Sequence, residues 1–134
     1  MAKQILIVED DAVLNRLIVR QLRSQDYDAI GVTSWEQDDA FLAAHEPNLL
    51  IADVRLPDGD TLDRLPDLDK MQPVVVLTAF GSVRNAVSAM KAGAFEYLLK
   101  PASPEELLLV VQRALDDAAL RSDHQFCRQR LRAK

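Results

Sequence analysis

A chain of 134 residues, 49% apolar and 28% charged, is long enough to bury one core and too short for two domains, and its composition excludes a largely disordered chain. Its single cysteine, Cys127, excludes an internal disulfide, and no apolar run approaches membrane-spanning length, so a soluble cytoplasmic protein with no membrane contact is expected. The net charge of −5 is uneven: residues 121–134 carry a balance of +4, leaving −9 for residues 1–120. That basic tail reads as a solvated helix end or linker in preference to a nucleic-acid contact.

The first apolar run, 5–8, leads into Glu9, Asp10 and Asp11. A helix follows, with Val13, Leu14, Leu17, Ile18 and Leu22 as its apolar face. After a second run at 29–32, Ser34 and Gln37 predict a capping box for a helix holding Trp35, Phe41 and Leu42. The third run, 49–52, lacks polar alternation and ends in Asp53. Leu62, Leu65 and Leu68 then have helical spacing, but Pro66 lacks an amide proton and clashes with the preceding turn, which predicts a short, kinked or partly unwound helix. A fourth unbroken run, 74–77, closes on Thr78. Val83, Ala86, Val87 and Met90 mark the next helix, stopped by Gly93. The last run, 97–99, closes on Lys100, and Ser103, Pro104 and Glu106 then signal a strong helix start. That helix has a core stripe of Leu107, Val111, Ala114 and Ala118, with Leu108 and Leu115 as a second stripe free for a partner.

Strand and helix alternating five times predict an α/β fold, doubly wound, with a five-stranded parallel sheet and helices on both faces. In such sheets ligands bind beyond the carboxyl ends of the strands. Those ends carry Glu9, Asp10 and Asp11, then Asp53, Thr78 and Lys100. Clustered carboxylates repel one another unless a hard cation binds them, and an all-oxygen set without cysteine or histidine suits Mg2+, whose shell phosphate oxygens complete. Thr78 and Lys100 supply a hydroxyl and an ammonium for a phosphoryl group, and Asp53 is the best-placed nucleophile for an aspartyl phosphate.

Four segments, ILIVEDD, LLIADVRLPDGD, VVVLTAFGSV and KAGAFEYLLKP, occur in an order and spacing that resemble the receiver domain of bacterial two-component response regulators, most closely receivers of the nitrogen-regulation class of transcriptional activators. The resemblance implies a flavodoxin-like receiver over residues 1–120, strand order 2-1-3-4-5, followed by a basic helical extension or linker at 121–134. It implies phosphorylation of Asp53 by a histidine kinase or phosphotransfer protein, with Mg2+ held by Asp10, Asp11, Asp53 and the backbone carbonyl of Arg55. Thr78 and Lys100 would contact the phosphoryl oxygens, Tyr97 would be the switch aromatic that responds to Thr78, and the bond before Pro101 would be cis. Similar receivers form homodimers through the fourth helix, fifth strand and fifth helix, and precede ATPase and DNA-binding domains; this chain has no GxxxxGK phosphate loop. It would thus be a phosphoacceptor in transcriptional control, not an enzyme.

Two departures from the family pattern stand out. Thr61 occupies the place of the usual glycine eight residues after Asp53, and the third helix carries Pro66. Asp58 and Asp60 in the intervening loop read as solvated turn residues, not metal ligands. Two other functions are weighed: a Mg2+-dependent phosphatase of the haloacid dehalogenase type, which places its nucleophile after the first strand, and a receiver fold kept only as an interaction module.

Overall fold

The computed structural model describes residues 2–56, 58–68, 72–79, 83–100 and 102–132. In chain order its elements are β1 (Gln4–Val8), α1 (Ala12–Arg23), β2 (Asp28–Val32), α2 (Trp35–Leu42), β3 (Leu49–Ala52), β4 (Arg55–Leu56), β5 (Gly59–Asp60), α3 (Thr61–Leu68), β6 (Val74–Thr78), α4 (Val83–Lys91), β7 (Glu96–Leu99) and α5 (Pro104–Arg132). Five parallel strands form the main sheet in the order β2-β1-β3-β6-β7, the 2-1-3-4-5 order expected. β3 and β6 are buried along their whole length, as strands without polar alternation must be. The order reverses between β1 and β3, which opens a crevice beyond their carboxyl ends.

Alternate strand residues feed two cores. Ile5 and Ile7 of β1 pack with Leu49, Ile51, Val75 and Leu77 beneath α1 and α5. Leu6 and Val8 pack on the opposite face with Leu50, Ala52, Val74 and Val76 beneath α2, α3 and α4.

The helices depart from the expected faces in three places. In α1, Ile18 and Leu22 are buried, but Val13 and Leu17 are 67% and 47% exposed while the polar Asn15 turns inward. In α4 it is Ala89 that packs inside, leaving Val87 and Met90 outward. In α5, Leu107, Val110, Val111 and Ala114 are buried, Leu108 and Leu115 are half-buried against the same core, and Leu109 is the exposed leucine. The cap signals are realised: the Ser34 hydroxyl accepts from Gln37 N and that of Ser103 from Glu106 N. Gln37 reaches one residue further back than a capping box requires, accepting from Thr33 N.

α3 is short, eight residues, and runs through Pro66. The hairpin of β4 and β5, ahead of it, is not signalled by any apolar pattern. Among the described residues no helix is long and apolar enough to cross a membrane. α5 continues without a break past residue 120 into the basic segment.

Candidate functional site

Strand register carries the polar groups to one rim. The backbone N–H of Glu9 donates to Val32 O, that of Asp53 to Val8 O, and that of Lys100 to Thr78 O. Each site residue is thereby the first step beyond a strand and is still fixed by its neighbour's last carbonyl. Asn15 secures the same corner from α1, its amide donating to Glu9 O at 3.0 Å and Val32 O at 2.8 Å. A Cβ on Gly31 would lie 1.8 Å from Asn15 Oδ1, so the absence of a side chain there is what admits the asparagine.

Carboxylate oxygens of Glu9, Asp10 and Asp53 lie within 4.8 Å of one another. Glu9 and Asp53 are 3% and 6% exposed, so little water screens them. The Lys100 ammonium answers part of this charge, donating to Asp53 Oδ2 at 2.9 Å and also to Glu9 Oε1. Burial, opposed by Lys100, pushes the Glu9 carboxyl up to about 7. Burial acts on Asp53 too, but hydrogen bonds from Lys100 and Thr78 together with the Lys100 charge overcome it and hold that carboxyl below its usual range. Burial would lower Lys100, yet its two carboxylate partners raise it. At neutral pH Asp53 is therefore ionised and Lys100 charged, while Glu9 holds a proton more readily than a free glutamate does.

The charge is still incompletely matched. Among the described residues, Glu9 Oε2 and Asp53 Oδ1 are buried with no hydrogen-bond partner. Orphaned oxygens of this kind, in an all-oxygen donor set, fit a hard divalent cation.

Glu9 and Asp10 join Asp53, whereas Asp11 caps α1, its Oδ1 accepting from Val13 N at 3.0 Å and Leu14 N at 3.2 Å. Of the three acids after β1, Glu9 is the one bonded to Lys100. Thr78 is fully buried at the end of β6, and Tyr97 is half-buried on the α4 side of β7. Arg55 lies in β4; Pro101 lies outside the described residues.

Thr61, standing where glycine is usual, donates its hydroxyl to Asp53 O and its amide to Val54 O. Asp58 is no idle turn residue: its two carboxylate oxygens accept from Trp35 N and Glu36 N. Beside the site, an apolar groove of about 460 Å³ runs between α1 and the start of α5, lined by residues that include Asp11, Val13, Leu17, Lys100 and Leu107.

Comparison with known proteins agrees with this geometry. Nitrogen assimilation regulatory protein NtrX of Azorhizobium caulinodans is 33% identical over 129 residues, covering 92% of this chain but 28% of its own length. The crystal structure of NtrX from Brucella abortus superposes with a TM-score of 0.88 at 28% identity, over 98% of this chain and 30% of that one. The beryllofluoride-activated NtrC4 receiver domain dimer gives a TM-score of 0.81 at 27% identity, over 86% of this chain and 98% of that one. The nucleophile candidate follows β3, not β1, which separates the chain from the phosphatase alternative. Residues 5–112 match the response regulator receiver domain, and the chain belongs to that family of two-component phosphoacceptors.

Proposed function

We propose that Asp53 accepts a phosphoryl group from a histidine kinase or phosphotransfer protein, and that the modified domain changes what it binds. The observation that carries this reading is the Asp53 carboxylate itself: buried, ionised, tied by Oδ2 to Lys100, clustered with Glu9 and Asp10, and with no hydrogen-bond partner for Oδ1 among the described residues. Oδ1 attacks phosphorus as the donor's phosphorus–nitrogen bond breaks, and the departing imidazole takes up a proton. Lys100 and the Thr78 hydroxyl then serve the new phosphoryl oxygens. Asp10, Asp11, Asp53 and the backbone carbonyl of Arg55 would hold Mg2+, with Glu9 alongside. When bound, that ion supplies charge neutralisation for the transferring group.

Drawing Thr78 toward the phosphoryl group frees space for Tyr97, which makes it the switch aromatic. Val87 and Met90 on α4 and Leu99 on β7, 45%, 46% and 55% exposed, offer an apolar face for homodimerisation together with α5. Likeness to a receiver domain dimer supports homodimerisation. The groove beside Lys100 gives a donor protein an apolar footing next to the acceptor. The greater length of the relatives, some of them named as transcriptional regulators, supports a place within a longer regulator of transcription; residues 1–120 would be the receiver and 121–134 a helical extension, with ATPase or DNA-binding domains beyond, in the cytoplasm.

Incubation with acetyl phosphate and Mg2+ should add the mass of one phosphoryl group to the intact chain and none to Asp53→Ala. Equal labelling of both would overturn the assignment.

A further inference from the structure

The N-terminus of α2 is completed by the loop that carries Asp53. Any helix begins with backbone N–H groups lacking an intrahelical partner. In α2 the Ser34 hydroxyl satisfies Gln37 N, and Asp38 N already donates to Ser34 O. The two remaining donors, Trp35 N and Glu36 N, go to Asp58 Oδ1 and Oδ2, each at 2.9 Å. One carboxylate from between β4 and β5 thus closes a helix more than twenty positions earlier in the chain.

The Trp35 side chain adds a second tie. Its Nε1 donates to Gly59 O at 3.3 Å, and a Cβ on Gly59 would approach Trp35 Cδ1 to 3.2 Å. The Arg64 guanidinium covers the ring at 4.7 Å and pairs with Asp39 of α2 at 2.9 Å. At its other end the loop is closed on the acceptor by Thr61, which bonds Asp53 O and Val54 O. Asp58 and Gly59 are therefore tied to the start of α2, and Thr61 to the sheet rim that holds Asp53.

Resting on the reading of Asp53 as acceptor, we propose that Asp58 and Trp35 are positioning residues for it. They set the loop between Asp53 and Thr61, and the state of Asp53 is felt in return at Trp35. Coupling of this kind is reciprocal: if the clamp favours the loop geometry that binds cation and phosphoryl group, binding must tighten the clamp equally.

Trp35 is the only tryptophan, so its emission reports the clamp directly. The experiment follows Trp35 emission in the full chain during Mg2+ titration and during reaction with acetyl phosphate, with intact mass read in parallel. Wild type should change emission in both steps. Asp58→Ala should lose that response while keeping its circular dichroism, and should bind Mg2+ or take phosphoryl about 10-fold less well, as supporting residues of metal sites do. Asp58→Asn, which keeps one acceptor oxygen, should recover part of the loss. Asp39→Ala, which removes the Arg64 pair and leaves the Asp58 bonds, should behave as wild type.

Wild-type phosphorylation with silent Trp35 would overturn the linkage, as would Asp58→Ala matching wild type in Mg2+ midpoint and rate. A wild-type chain that takes no phosphoryl group would count against the acceptor reading, while the Mg2+ arm would still decide the linkage. Should Asp58→Ala fail to fold, Asp58→Asn and the wild-type spectra carry the same decision.

Discussion

Asp38 should make the protein less stable at neutral pH than in mild acid. It lies one turn beyond Trp35 in α2, fully buried, and among the described residues neither carboxylate oxygen has a hydrogen-bond partner. Burial first, then the neighbouring Asp39 charge, lift its pKa from 3.8 to about 6 against the pull of Arg64. The folded chain thus holds this proton more tightly than the unfolded chain. Below pH 3.8 both states are protonated and folding bears no penalty; as pH climbs toward 6 the unfolded state ionises first and stability drains away. A lift of this size corresponds to about 3 kcal/mol once the group is fully charged. Asp38→Asn replaces the acid with a neutral side chain of the same shape and should recover most of that at pH 8, but little near pH 4. With a urea slope of about 1–3 kcal/mol per molar, the midpoint should rise by about 1–3 M at the higher pH. Trp35 fluorescence in chelator-treated buffer gives the readout. An unchanged or lower midpoint at pH 8, or the same gain at both pH values, would refute the reasoning.

Gly31→Ala should cost about 2–4 kcal/mol by urea denaturation, because the new methyl group displaces Asn15 and leaves Glu9 O and Val32 O without its amide. Lys100→Met should lower stability by about 2–4 kcal/mol at pH 8, since it strands two buried carboxylates. The loss should shrink near pH 5, where Glu9, raised to about 7, is protonated, and saturating Mg2+ should restore part of it. Equal losses with and without Mg2+ would contradict a cation site at these acids.

Legibility in the sequence followed the physics of each element. Unbroken runs such as 49–52 and 74–77 announce strands covered on both faces, and all five main strands could be located from them. Ser34 and Ser103 could be read as caps because capping is local. Periodicity misled where it counted only apolar residues. Val13 and Leu17 share the helical spacing of Ile18, yet α1 turns toward the sheet through Asn15, whose worth lies in two backbone carbonyls from distant strands. Which of Glu9, Asp10 and Asp11 caps the helix and which meets Lys100 depends on where the strand stops, and adjacent residues look alike in sequence. Asp58 and Asp38 were missed because a cap supplied from another segment, or a carboxylate buried without a partner, leaves no periodic trace.

Because neighbouring residues on β1 serve opposite cores, no side chain in that strand belongs to both. The sheet is a partition with the reactive rim as its only shared margin. A change of side-chain volume beneath α1 and α5 meets the packing beneath α2, α3 and α4 through the sheet backbone, not through a side chain shared on β1.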